Sequence, residues 1–396
     1  GRTHDALTAF REAIDFAPDQ QRQVEAWIGV ASALRVMDRH IEALDALDRA
    51  EKALGESDDI PVRIRISTLR GNLCFPLGRI EDCLREHERA MQLASAAHSP
   101  LDLARAYSGL GDAWYQRGRM RTASEYFDRC LAESRNHNLP AVRMANLPML
   151  ALTRLYCGDT ASTDQSLEEA LDLSRRLSDA RSELLTQLVT ASAMLIRGRI
   201  EVCERYAQRT RELAEQLGAR RFQAEALSLQ AGCHLARHQR SEADAFVREA
   251  LQLSRGTSMN YCGPVLLGVL ARTTTLPEER RQALREGEEL LASGCVSHSY
   301  FEFYFHAIEV SIREGLWADA HRYADALAAY TREEPLVWTE LLIKRGRCLA
   351  DMGKGDVSHE MVQVLQDLRS QCISLELRLP LAGIEAALDR LTSLEV

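Results

Sequence analysis

Long apolar runs are missing from this 396-residue chain. Although 46% of its residues are hydrophobic, no uninterrupted stretch approaches the roughly 18 residues a bilayer-spanning helix needs. That excludes membrane insertion. Lysine is nearly absent, since Lys52, Lys344 and Lys354 stand among 49 basic residues that are otherwise arginine. Those arginines are spread through the chain and the net charge is -9. The concentrated positive charge that displaces counterions from phosphates is therefore lacking, and nucleic acid is not expected as a direct partner. No two of the ten cysteines share a Cys-x-x-Cys spacing; they fall singly inside apolar helical patterns, as in a reducing cytoplasm rather than a disulfide framework. There is no G-x-x-x-x-G-K loop, no H-E-x-x-H and no G-x-S-x-G. Neighbouring acids such as Glu168 and Glu169 point to different helix faces. Neither catalysis nor a cofactor is expected. The chain opens on Gly1 with no signal segment, so sequence upstream of it is expected.

What the chain does contain is a period of forty residues. Laid out at that period, one column reads Ala31, Gly71, Gly111, Ala151, Ala191, Ala231 and Ala271. Twelve residues on, a second reads Ala43, Cys83, Ala123, Thr163, Cys203, Ala243 and Ala283. A third, seven further, contains Ala50, Ala90, Cys130, Ala170, Thr210, Ala250 and Leu290. Small residues at fixed spacing are what two helices need where their backbones cross at about 8 Å. Between the first two columns lie Asp38, Gly78, Gly118, Gly158 and Gly198, placed where a left-handed residue ends a helix. Each unit is therefore helix, turn, helix. Ala6, Phe10, Ala13 and Pro18 follow Gly1 as in a second helix, so the chain is expected to open in mid-repeat.

These columns resemble the tetratricopeptide repeat, most closely at Tyr107, Leu110, Gly111, Trp114, Gly118, Ala123 and Phe127. Trp27, Val30, Ala31, Leu34, Ala43, Leu47 and Ala50 form a second match. The forty-residue unit is longer than the family's usual one. It looks like the arrays of kinesin light chains and of the C-terminal arms of bacterial signal-transduction ATPases and regulators. The resemblance implies an all-α fold, a right-handed α-solenoid of about ten helix-turn-helix repeats. Regular repeats are expected over 1–254 and less regular ones over 255–376. A longer loop is expected at Arg255 to Pro264, and Pro277 replaces the turn glycine. Over 377–396 a helix opened by Pro380 is expected to cap the stack, with Leu381, Ile384, Leu388 and Leu391 on one side.

In arrays of this kind the first helix of each unit lines the concave surface. The phase then places Arg35, Asn72, Asp112 and Tyr115 in the early groove, and Met149, Leu152, Leu155, Tyr156, Leu188, Val189, Ser192, Leu195 and Ile196 in its middle. Arg272, Glu309, Arg313, Lys344 and Arg347 follow at the late end. The groove is expected to be apolar in the middle and charged at both ends, suited to an amphipathic helix or apolar segment whose direction the rim charges fix. The competing reading buries the middle patch under tighter curvature. Some relatives clamp a peptide carboxylate with lysine and asparagine; Asn72 stands in a suitable column, but the lysines are missing.

Two clusters carry a possible chemistry. Cys233, His234 and His238 could approach a metal, but a closed zinc site needs a fourth ligand that the neighbourhood does not supply. The aromatic run His298 to His306 could stack a ring but reads foremost as helix packing. The functional expectation is a non-catalytic interaction scaffold. It would be a regulatory module of a larger cytoplasmic, bacterial signalling protein, holding a protein or peptide partner or another domain of its own chain. The alternative is an arm that senses a small-molecule or peptide inducer for a transcription regulator or signalling ATPase.

Overall fold

A computed structural model describes residues 2–37, 39–177, 179–256 and 259–394, with backbone alone for 2–3 and 392–394. Gly1 and Asp38, which the repeat pattern uses at the chain start and first turn, lie outside the described residues. All regular structure among the described residues is helical. The first ten helices are α1 (Arg2–Asp15), α2 (Gln20–Val36), α3 (His40–Leu54), α4 (Ile60–Cys74), α5 (Ile80–Ala96), α6 (Pro100–Arg117), α7 (Met120–Asn136), α8 (Pro140–Tyr156), α9 (Thr160–Leu177) and α10 (Ala180–Ile196). They are followed by α11 (Ile200–Leu217), α12 (Arg220–Ala236), α13 (Arg240–Ser254), α14 (Met259–Thr273), α15 (Pro277–Ser293), α16 (Ser297–Arg313), α17 (Trp317–Tyr330), α18 (Val337–Gly353), α19 (His359–Ser374) and α20 (Leu381–Leu394). The architecture is the expected all-α solenoid of helix pairs. It divides into two compact units, Gly1–Arg117 with Glu125–Asn146, and Gly118–Ser124 with Leu147–Val396.

In the first unit the helices arise from local chemistry. Asp59 accepts the Val62 amide at 3.2 Å and Pro61 fills a first-turn position that needs no donor, which starts α4. α5 then buries Cys83, Leu84, His87, Ala90 and Ala94 along one stripe. Packing explains the small columns: a Cβ added to Gly71 or Gly109 would lie 2.5 or 2.2 Å from the His87 ring, and one on Gly111 would lie 2.6 Å from Phe127. Those glycines let α4 and α6 close on the side chains of the second helices.

The second unit is held by contacts between distant stretches of sequence. Gly118 (φ 82°) and Gly158 (φ 87°) occupy the left-handed conformation expected of the turn column. Each also accepts a neighbour, since an added Cβ would lie 2.7 Å from the Tyr330 hydroxyl or 3.0 Å from Val337. At the first turn of α7, Glu334 accepts the Arg121 amide at 2.6 Å and the Thr122 hydroxyl at 2.7 Å, while Arg119 donates to Glu333 at 2.5 Å. Further along, buried Arg197 donates to Asp164 and, at 2.6 Å, to Glu376. The Leu379 amide bonds the Ile196 carbonyl at 2.9 Å. Glu334→Ala is expected to cost about 1 kcal/mol, the usual loss of an N-terminal cap. Amide exchange at Arg121 and Thr122 should accelerate about fivefold; unchanged exchange there would mean that the carboxylate does not cap the helix.

Of the stretch Arg255 to Pro264, expected as a loop, the part from Met259 onward is helix. α14 starts at Met259 and carries Pro264 inside it. Every residue from Cys262 to Ala271 is buried, and removing that surface from water outweighs the one hydrogen bond that proline forfeits. Pro277 begins α15 at a position where proline is at home. α20 follows Pro380 and packs on α19 and α18, burying Ile384, Ala387 and Leu391.

Candidate functional site

The first helices of successive repeats share one register, and in the second unit that register faces inward. Leu152, Leu155, Tyr156, Leu188, Val189 and Ile196 are buried there, while Met149, Ser192 and Leu195 keep part of their surface. Leu195 lies over Gly232, whose missing side chain leaves room for it. From α16, Phe301, fully buried, meets Tyr156 edge-on with centroids 5.1 Å apart. In the first unit Arg35 and Asn72 are exposed, Tyr115 is buried, and Asp112 is half-buried with its carboxyl pushed up to about 7 by desolvation.

The late end of the predicted groove is charged and internally matched. Arg345 donates to Glu309 and, at 2.9 Å, to the Pro380 carbonyl. Burial alone would raise Glu309, but Arg345 and Arg272 together hold it below its ordinary value. Arg272 approaches His306 at 3.3 Å, Arg313 donates to the Arg272 carbonyl at 2.7 Å and Arg347 pairs with Asp325 at 2.6 Å. Lys344 is exposed, 4.0 Å from Glu340.

Between these regions lies a polar group that the repeat phase alone did not pick out. Arg221 and Glu225 come from α12, Tyr261 from α14 and Glu302 from α16; with Tyr156 they line the interior. Glu225 and Glu302 are half-buried, and among the described residues neither makes a hydrogen bond or ion pair. Arg221 lies over the ring of Phe222 at 4.6 Å and that of Tyr261 at 4.2 Å, and its buried Nε donates to nothing. Tyr156 is 2% exposed, its hydroxyl likewise bonds nothing described, and the charges around it are those of Glu302, Tyr261 and Glu225. Desolvation raises Glu225 to about 8, with Arg221 opposing and Glu302 reinforcing the shift. It raises Glu302 to about 7. His298, whose ring meets Tyr261 at 5.0 Å, is lowered to about 4 by burial. A signal for this group was present in the sequence. Glu225 interrupts a register that reads Ala145, Leu185 and Val265 around it, and Glu302 is the one carboxylate inside the aromatic run 298–306.

Single buried polar atoms without a partner occur elsewhere, Glu86 Oε2 and the Ser297 hydroxyl among them, but not as a group of this kind. Cys233 is buried against the Ile200 carbonyl, and His234 bonds Gln239 at 2.8 Å and stacks on Phe246. No three His, Cys, Asp or Glu residues converge on a metal position among the described residues. The aromatic run packs α16: Tyr300 stacks on Tyr330 at 4.0 Å and Phe305 meets Trp338. In the first unit a cleft of about 120 Å³ is lined by Arg70, Arg79, Arg85, Asp48, Asp82 and Glu86. Its charges largely neutralise one another, as in the 2.7 Å pair of Arg70 with Asp48. No helix among the described residues is long and apolar enough to cross a membrane.

The tetratricopeptide repeat family model matches residues 63–132, a span that includes the best sequence match, Tyr107 to Phe127. That segment belongs to the tetratricopeptide repeat family. No curated protein sequence matches the chain. Among solved structures, this repeat array is similar to NprR in complex with its cognate peptide NprX, at 13% identity and TM-score 0.61 over 88% of this chain and 97% of that one. It is also similar to the signal transduction ATPase with a tetratricopeptide repeat sensor from Pyrococcus horikoshii, at 13% identity and TM-score 0.52 over 94% of this chain and 55% of that one. Aspartyl phosphate phosphatase F from Bacillus subtilis shares 16% identity and a TM-score of 0.53 over 64% and 68%. At such identities the likeness speaks for the repeat fold alone.

Proposed function

We propose that this protein is a non-catalytic regulatory module of a cytoplasmic signalling protein, and that it binds a peptide, or an extended segment of a partner, inside its second unit. The observation that carries this reading is the set Tyr156, Arg221, Glu225 and Glu302, polar side chains from three helices that make no hydrogen bond among the described residues, with Arg221 Nε and Glu225 Oε1 buried and unpartnered. Buried polar groups in folded proteins are matched in the great majority of cases, so an inward-facing unmatched set points to a ligand. On the same first-helix register as Tyr156 and its neighbours, Met149, Ser192 and Leu195 keep accessible surface that a peptide side chain can cover. NprR, a structural neighbour, is seen with a peptide, which agrees with this reading.

Five of the ten thiols are held away from nucleophilic chemistry by burial. Burial raises Cys130 and Cys295 to about 12 and Cys157, Cys348 and Cys372 to about 11, too high for nucleophiles at neutral pH. The deep burial of Tyr156 and Leu155 favours a second reading, a small inducer in place of a peptide. A displayed random-peptide library panned on the full chain separates the two. Wild type is expected to enrich peptides, and Ser192→Trp, which fills the interior register, to weaken them at least tenfold with an unchanged far-UV spectrum. Absence of enrichment on wild type would leave the small inducer as the surviving reading.

A further inference from the structure

Resting on the peptide-binding reading, we propose that Glu225 and Glu302, with the Tyr156 hydroxyl and the Tyr261 ring, form a subsite for a cationic group, an ammonium or a guanidinium, carried by the bound peptide. Elsewhere in the second unit, part-buried carboxylates are given an arginine from the chain itself. Glu309 receives Arg345, and Glu376 receives both Arg197 and Arg199. Glu225 and Glu302 receive none. The nearest cation, Arg221, is turned onto the faces of Phe222 and Tyr261 and hydrogen-bonds neither carboxylate.

The ligand that completes this set must donate several N–H groups. A guanidinium offers five donors and an ammonium three, enough for Glu225, Glu302 and the lone pairs of the Tyr156 hydroxyl together. Aromatic walls add to this, because a cation near a tyrosine face is attracted by the ring quadrupole. An anion would meet two carboxylates, and an apolar group would leave every one of these polar atoms unsatisfied in a desolvated site. Arg221 supplies the complementary half. Its free donors suit a carbonyl oxygen next to the cationic group, which is the pattern of a peptide and fixes the direction in which it lies.

Three heptapeptide pools panned on the full chain test this. The first is N-terminally acetylated and contains Lys and Arg; the second has free N-termini and lacks both; the third is acetylated and lacks both. At least tenfold enrichment of the first or second pool over the third is expected, the first assigning a basic side chain and the second the terminal ammonium. In Glu225→Gln/Glu302→Gln this preference should vanish while the third pool binds as before. Equal enrichment of all three pools, or a preference that survives the double substitution, overturns the cation subsite and leaves peptide binding intact. No enrichment of any pool overturns the peptide reading itself. Melting of the double variant, expected at or above wild type, excludes misfolding as the cause of lost preference.

Discussion

Phe301→Ala is expected to cost the second unit about 4 kcal/mol, the usual toll of deleting a buried phenyl ring where neighbours cannot collapse into the space. Phe301 is fully buried, with Tyr156 edge-on at 5.1 Å on one side and Tyr330 at 5.9 Å on another. Tyr330 is itself stacked on Tyr300 and limits the space over Gly118. One ring therefore braces two others and, through Tyr330, both Tyr300 and the turn at Gly118. For a unit of this size the loss corresponds to a melting temperature lower by about 10 °C. Phe301→Leu, which retains most of the volume, should cost about 1.5 kcal/mol. Thermal and urea unfolding of both variants check the pair. A Phe301→Ala protein within 1 kcal/mol of wild type would mean that this aromatic packing is not part of the native core.

The repeat fold was legible because close helix crossings tolerate few residue types. Gly71 and Gly111 admit no side chain beside His87 and Phe127, and a looser form of that requirement, glycine or alanine, recurs at every fortieth position from Ala31 to Ala271. Gly118 and Gly158 were legible as turns, yet their second role, making room for Tyr330 and Val337, was not. Period reports what neighbouring repeats share, whereas these contacts join residues roughly two hundred positions apart. The same limit hid the polar group. Tyr156 was picked out by phase, but Glu225 and Glu302 become a pair only once α12 and α16 enclose one space. Arg255 to Pro264 was misread for a different reason. Glycine and proline weigh heavily in a local reading, and only the packed unit reveals that Cys262 to Ala271 is buried throughout.

Glu225→Gln/Glu302→Gln is expected to stabilise the protein by about 3 kcal/mol at pH 8 and by almost nothing at pH 4.5. A carboxyl whose folded pKa is raised holds its proton more tightly folded than unfolded. Stability is therefore full below the unfolded value of 4.5 and is lost as the pH climbs toward about 7 for Glu302 and about 8 for Glu225. At 1.36 kcal/mol per pK unit the two shifts set a larger ceiling, which their partial exposure reduces to the figure given. Glutamine keeps the shape and removes the ionisation, so the penalty disappears. His298 works in the opposite sense: lowered to about 4, it stays neutral in the fold, and stability is lost as the pH falls from 6.5 toward 4. Asp112 and His87 in the first unit impose similar opposed slopes, so the quantity to measure is the difference between variant and wild type. Urea unfolding at pH 4.5, 6.5 and 8 should give a difference that grows with pH. A difference that is flat, or that favours wild type at pH 8, would mean the carboxyls are already satisfied. In that case no cation is needed to complete the site. A difference that grows would instead locate in one variant both a gain in stability and a loss of cation preference, as expected where a binding site holds charges the fold does not neutralise.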